Sequence, residues 1–259
     1  MVPTTPKVYL IANTVMRMEH TCDWLKELGG MVCLNHITGS LAESLIELAA
    51  RRCYRAFDVG LNPNVTKIRK SSEDYHANIL TQGHGSVLEH SSATFAIECC
   101  SRVFTHELVR HRPGMAYSQE SLRYVRLTKL GFEIPEVIAN NVNALATFME
   151  TIDTLEKAQT RLALAFDIDN IPDFKTKKVL TSTFRRIAPM GLSTGIVMTA
   201  NFRALRWLIE HRTVAGTVED EMQRIMGMIA DICIHEWPMV FGDFTRLEDG
   251  TYVPKYHKV

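Results

Sequence analysis

The sequence has no surplus of charge. Lys plus Arg and Asp plus Glu number 29 each in 259 residues, so no global field holds a polyanion such as DNA or draws the chain to an anionic membrane. Any anion site has to be a local cluster. The chain also lacks an apolar run of about 18 residues, the length a membrane-spanning helix requires. Its six cysteines, Cys22, Cys33, Cys53, Cys99, Cys100 and Cys233, lack metal-ligand spacing. Two of them are adjacent, which suits neither a zinc site nor a compact disulfide framework. No bound metal is expected, and the cysteines read as reduced thiols of a cytoplasmic protein. Repeats, low-complexity runs and Ser/Gly linkers are absent too, which predicts one domain over residues 1–259.

What is present is an ordinary globular pattern, with 46% hydrophobic residues and enough length for a substantial core. The apolar stretch Val8 to Met16 has a single basic flank and no small-x-small cleavage site, so it reads as a first buried strand rather than a leader. Leu41 to Tyr54 places Leu41, Leu45, Leu48 and Ala49 on one helical stripe behind Ser40 as N-cap. Gly60, Asn62, Pro63 and Asn64 mark a loop. Ser72 to Gln82 predicts a helix capped by Ser72 and stopped by Gly83.

Farther along, Ser92 to Ile97 favours extended structure, and Ser101 to Arg110 predicts a helix that stops before Pro113-Gly114. The Pro-Gly region then reads as a loop carrying basic residues. Breaks at Ile134-Pro135 and at residues 140–143 precede a long helix from about Ala144 to Phe166. Helices over Lys175 to Arg186 and Ala200 to Arg212 flank a segment whose Ile196-Val197 core suits a strand, and a last helix spans about Val218 to His235. The mixture predicts an α/β or α+β domain.

Between residues 102 and 126 lie Arg102, Arg110, Arg112, Arg123 and Arg126 against Glu107 and Glu120, five positive charges to two negative. Guanidinium groups offer phosphate a planar fork of charge-assisted hydrogen bonds. A solvated basic face is the other reading of the cluster. Interleaving with Pro113, Gly114, Tyr117, Ser118, Gln119 and Ser121 gives it the character of a donor-rich loop. Independently, eleven steps of about 100° return the side chain of Arg212 to within roughly 20° of Asn201. Both then share a face with Leu205 and Leu208, a pattern that an amphipathic core helix with polar ends also satisfies.

The run RHRPGMAYSQESLRYV, Arg110 to Val125, resembles the signature of the flavin-dependent thymidylate synthases, in which RHR is followed after a fixed spacing by Ser. Here eight residues separate Arg112 from Ser121, one more than the family pattern, and aligning Tyr117 to Gln119 and Ser121 to Tyr124 confines the extra residue to the Pro113 to Met115 turn. Other matches follow in the family's order. They are Ala49 to Tyr54 (AARRCY), Gly83 to His90 (GHGSVLEH), His106 to Val109 leading into Arg110, Asn201-Phe202-Arg203 to His211-Arg212, and Val240 to Phe244 (VFGDF). Together they extend over about three quarters of the chain, from Ala49 to Phe244.

The resemblance implies an α+β domain with a central mixed or antiparallel sheet flanked by long helices. It implies FAD- and NADPH-dependent methylation of dUMP at C5, with methylenetetrahydrofolate as the one-carbon donor. The flavin residues it implies are Cys53, Ser86, Glu89, Arg110, His111, Arg112, Gln119, Asn201, Arg203 and Trp207. Those for the nucleotide are Glu107, Arg110, Gln119, Ser121, Arg123, Arg185 and Arg212. Arg212 is the candidate catalytic residue, a fixed cation aimed at charge developing on the uracil ring. Ser121 is assigned to binding, because the motif sets no His or Lys beside it to act as base. Family members are homotetramers with shared sites, which implies the same here. Three positions depart from the family pattern: Cys53 stands where Ser is frequent, Trp207 where Asn or His occurs, and Gly216 where His is common. The extra residue, Trp207 and Gly216 leave UMP open as the acceptor in place of dUMP, and a flavin- or nucleotide-binding homologue without turnover is a further reading.

Overall fold

Side chains that replace missing backbone partners cap most of the longer helices of this chain. The computed structural model describes residues 2–123 and 131–259. In chain order the elements are β1 (Val2–Pro3), β2 (Lys7–Asn13), α1 (Met18–Glu27), α2 (Leu41–Tyr54), α3 (Ser72–Thr81), β3 (Ser92–Ser101), α4 (Arg102–Leu108), β4 (Met115–Gln119) and β5 (Gly131–Phe132). There follow α5 (Glu136–Ala139), α6 (Val142–Ala165), α7 (Phe174–Phe184), β6 (Ser193–Asn201), α8 (Phe202–Arg212), α9 (Asp220–Glu236), α10 (Pro238–Phe241), β7 (Phe244–Arg246) and β8 (Tyr252–Pro254). Four strands form a sheet in the order β2-β3-β6-β4, beside a parallel pair of β1 with β5 and an antiparallel pair of β7 with β8. This is the expected α+β class. Among the described residues no helix is long and apolar enough to cross a membrane.

The chain divides into two compact units. One comprises Met1–Tyr9, Ala96–His111 and Tyr117–Val197, and the other Leu10–Phe95, Arg112–Ala116 and Met198–Val259. In the first, Leu122, Phe132, Ile152 and Leu192 form a core against which Phe148, Leu155 and Ala188 pack. In the second, Leu25, Cys33, Leu48 and Phe57 form one cluster. Phe202 packs on Trp237 and Phe241 there, with ring centroids 4.6 and 5.4 Å apart.

Four expectations need correction. Strand β2 exists but is largely exposed, with Tyr9 and Ile11 open to solvent, because it is an edge strand with one neighbour. The cap of α3 is Ser71, whose hydroxyl accepts the Asp74 amide at 3.1 Å, while Ser72 is buried one residue inside. The Tyr117-Ser118-Gln119 part of the basic loop belongs to strand β4. Helix α2 is capped by Ser40, as expected, in a full capping box with Glu43, but its leucine stripe is only partly buried: Leu48 lies in the core while Leu41 is exposed.

Buried on α2 beside Ala42, Ile46, Leu48 and Ala50 are Glu43, Glu47 and Arg51, spaced four apart and so stacked on one face. Glu47 and Arg51 are 0% exposed and paired at 2.6 Å. Arg51 also donates to the carbonyls of Ala56 and Arg69 at 2.9 Å each and lies 4.5 Å over the Tyr75 ring. The second oxygen of Glu47 accepts the Ser72 hydroxyl at 2.6 Å. Every charge in the stripe is therefore compensated, the condition under which a buried ion pair is tolerated. Burial raises the Tyr75 phenol to about 12, against a lowering by Arg51 that outweighs the further raising by Glu47.

Arg51→Met leaves the Glu47 carboxylate buried without its partner, and urea unfolding should show a loss of about 3–5 kcal/mol. Adding Glu47→Gln should recover part of that loss. A double variant as unstable as the sum of its singles would show that the cost is not an uncompensated charge.

Candidate active site

Strand β6 runs directly into α8 at Asn201, whose side-chain oxygen accepts the Ala204 amide at 2.8 Å. The Asn201 backbone amide donates to the Gly114 carbonyl at 2.9 Å. Gly114 belongs to the turn that houses the extra residue of the RHR segment: the Met115 amide donates to the Arg112 carbonyl at 3.2 Å across Pro113-Gly114. Pro suits the second position of such a turn and a positive φ the third, and Gly114 has φ +72°. A Cβ at Gly114 would come 2.5 Å from Asn201 Nδ2, so the turn needs glycine on two counts.

From that cap, α8 buries Phe202, Leu205, Arg206, Leu208 and Ile209 and exposes Arg203, Trp207 and His211. Arg212 ends the helix, partly buried. Asn201 and Arg212 thus stand at opposite ends of α8, but Asn201 has extended backbone and caps the helix from outside it, so the helical count from Asn201 to Arg212 does not apply. Trp207 stacks on His211 at 4.5 Å and 16°, the i and i+4 neighbours of one exposed face.

The Gly83 to His90 segment forms the second part of this group. Gly83 has φ +66°, which no β-branched or bulky residue adopts cheaply, and a 3-10 helix follows over Gly85–His90. Ser86 and Glu89 are exposed on it, and Glu89 Oε1 accepts from Arg203 Nη1 at 2.6 Å, both side chains 47% exposed. Four expected flavin residues are therefore gathered here: Ser86, Glu89, Asn201 and Arg203. Arg112 opens the Gly114 turn and is exposed. Cys53 is exposed on α2, its thiol directed to the Ala49 carbonyl at 3.5 Å, and Tyr54 beside it stacks on His84 at 6.5 Å. The Cys53 thiol thus bonds within α2, and the Trp207 ring stacks within α8.

The remaining expected residues fall in the other unit. Helix α4, capped by Ser101, carries Glu107. Just past its end comes Arg110, whose amide donates to the Glu107 carbonyl at 3.3 Å. The Tyr117 hydroxyl donates to the His111 carbonyl at 2.8 Å, and the Gln119 side-chain amide donates to the Thr105 hydroxyl at 2.8 Å, which joins β4 to α4. Ser121 accepts the Arg123 backbone amide at 3.3 Å. Arg185 is exposed at the start of a 3-10 turn over Arg185–Ile187. Tyr124 and Arg126 lie outside the described residues. Arg102 has a buried Nη1 without a hydrogen-bond partner among the described residues. Burial, together with the Arg185 charge, holds this guanidinium below its ordinary pKa, opposed by Glu120. Several guanidinium groups in the two sets are at least partly exposed, as charge-assisted recognition of a phosphate requires.

Arg206 escaped the sequence reading. It is buried and grips Asp243 through both terminal nitrogens, at 2.5 and 2.9 Å. The signal was the Asp of the VFGDF segment, an acidic residue in an apolar run that needs a buried cation.

The family profile described as thymidylate synthase complementing protein matches residues 35–239. A flavin-dependent thymidylate synthase of Corynebacterium diphtheriae is 34% identical over 215 residues, covering 81% of this chain and 82% of that protein. Another, from Mycobacteroides abscessus, is 31% identical over 261 residues, covering 95% and 94%. In fold, the chain is similar to the crystal structure of a UMP/dUMP methylase from Streptomyces cacaoi bound with 5-Br dUMP, with a TM-score of 0.64 over 93% of this chain and 96% of that one at 14% identity. With four fifths of its length matched by one family profile, and relatives of that family aligned almost end to end, this chain belongs to the flavin-dependent thymidylate synthase family.

Proposed function

We propose that the protein methylates dUMP at C5 to give dTMP, with FAD and NADPH as redox cofactors and methylenetetrahydrofolate as the one-carbon donor. The observation that carries this reading is α8, which holds Arg203 near its start and Arg212 at its end on a helix fixed by the Asn201 cap. The donor set suits FAD: half-exposed Arg203 is kept in place by Glu89 beside the Gly83–Ser86 turn, and the exposed Arg112 opens a turn closed by a backbone hydrogen bond. Ser86, Glu89, Arg112, Asn201 and Arg203, with Arg110, His111 and Gln119, would hold it. When bound and reduced by NADPH, FAD supplies the hydride, so the hard chemistry is the cofactor's.

The chain's own residues bind and orient the nucleotide. Arg123, Arg185 and Arg110 offer guanidinium donors to its phosphate, and Glu107, Gln119 and Ser121 hold the remaining polar groups. Ser121 is a binding residue: its hydroxyl accepts the Arg123 amide, whereas a nucleophile needs a base as its partner. Arg212 stabilises negative charge that develops on the N3/O4 edge of the uracil ring, a contact that strengthens toward the transition state.

UMP is the second reading for the acceptor, favoured by the longer Pro113–Met115 turn and by the exposed Trp207 beside Arg203 on α8. Purified protein should retain flavin absorbance after FAD reconstitution and desalting. Under anaerobic conditions with NADPH and methylenetetrahydrofolate it should turn over dUMP on the order of 10- to 100-fold faster than UMP, the discrimination a pocket gains from one hydroxyl. Faster turnover of UMP would transfer the assignment to the ribonucleotide, and flavin binding without turnover of either would remove the enzymatic reading.

A homotetramer is part of the same proposal. Helix α6 runs for 24 residues with two of them buried, and Val142, Leu164, Phe166 and Phe174 on or beside α6 and α7 are more than half exposed. Apolar side chains left open at both ends of such a helix are surface that a contact between chains would cover. Light scattering of the active protein should give four chains, and an active monomer would contradict this.

A further inference from the structure

The segment after β8 is tied to α8. Buried Arg206 bridges Asp243, the Val240 carbonyl and, at 3.1 Å, the Tyr256 carbonyl. Asp243 accepts the Tyr256 amide at 3.2 Å through its side chain and the Lys255 amide at 3.0 Å through its carbonyl. Thr81 and Lys255 beside the Tyr256 hydroxyl hold the phenol below its usual range. His257 Nδ1 donates to Glu210 Oε1 at 2.6 Å.

Arg203, Arg206 and Glu210 are three and four residues apart, hence one stripe of α8. The segment follows that stripe, with His257 at Glu210, Tyr256 at Arg206 and Val259 near Arg203. At its far end it lies on the turn before Ser86. A Cβ on Gly83 would collide with the Lys258 carbonyl oxygen. One on Gly85 would collide with the Val259 carbonyl carbon and come 2.7 Å from Arg203 Nε. The approach exists because both residues lack side chains.

The geometry points to residues 255–259 as a strap that positions the flavin site. It presses the Gly83–Ser86 turn against Arg203, with the His257–Glu210 pair as its latch. The inference rests on the FAD reading above and adds an element to it. Glu210 and His257 are positioning residues, acting through the turn and Arg203 rather than on flavin or nucleotide. Ordering this segment in advance spares FAD the entropy of fixing the turn on binding.

The test is FAD titration by fluorescence on the full chain and on His257→Ala, Glu210→Ala, the double variant and His257→Gln. Each alanine variant should weaken FAD binding by about three- to tenfold, the range one hydrogen bond spans. The double variant should lose no more than either single, and His257→Gln, which keeps a donor, should stay near the parent. Unfolding midpoints of the flavin-free proteins should coincide. Unchanged or tighter FAD binding in the singles, additive losses, or losses matched by lower unfolding midpoints would overturn the strap. A parent protein that binds no FAD would instead remove the reading on which the strap rests, and the strap with it.

Discussion

The side chain of Asn201 accepts the Ala204 amide, and that hydrogen bond decides where β6 stops and α8 starts. An N-cap contributes about 0.5–2 kcal/mol, a modest sum, but its placement fixes the phase of everything beyond it. Arg203 falls in the first turn, Trp207 and His211 stack along one exposed face, and Arg212 ends the helix. At 1.5 Å rise per residue, Arg203 and Arg212 are about 13 Å apart along the axis, so one rigid element presents two cations to two different places. The cap is itself fixed by Gly114, whose carbonyl accepts the Asn201 amide and whose missing side chain leaves room for the Asn201 carboxamide. The turn after Arg112 and the start of α8 therefore specify each other.

Buried charge is fully partnered at two places in the same unit. Arg206, one turn into α8, is satisfied by Asp243 and two carbonyls and lies 4.8 Å over the Phe244 ring. Arg51 on α2 is satisfied by Glu47, two carbonyls and the Tyr75 face. Such pairs offer little net stability over apolar residues of equal size, but removing one member is expensive. Their effect is to specify one arrangement: Arg206 joins α8 to the chain's last segment, and Arg51 joins α2 to the loops before α3.

The local chemistry of caps and turns made much of this legible in the sequence. Ser40 as the cap of α2, Gly83 after α3 and the Pro113-Gly114 turn were readable from residue type and spacing, whereas the Glu43 half of the capping box and the capping role of Asn201 were not. What escaped were features decided by distant partners. The buried face of α2 carries Glu43, Glu47 and Arg51 because Ser72, Met239 and two carbonyls come to meet them, and an apolar period cannot show that. Strand β2 is apolar in sequence yet exposed, since burial depends on its edge position in the sheet. The short β7–β8 hairpin and the segment after it have no periodicity to detect, and their order depends on Arg206. Of the site, the Glu89–Arg203 pair joins two motifs 114 residues apart, which the sequence named separately without revealing their contact.

The central claim is that α8 ends in a cation that acts on the uracil ring during reaction, and single-turnover formation of dTMP by the FAD-loaded, pre-reduced protein tests it most directly. Arg212→Ala should slow that step about 100- to 1000-fold, the usual cost of one preorganised group serving developing charge, with FAD still bound. Arg212→Lys should recover part of the rate, because a point charge lacks the planar two-donor contact. Near-parental rates in Arg212→Ala with both dUMP and UMP would contradict the mechanism while leaving the family membership standing.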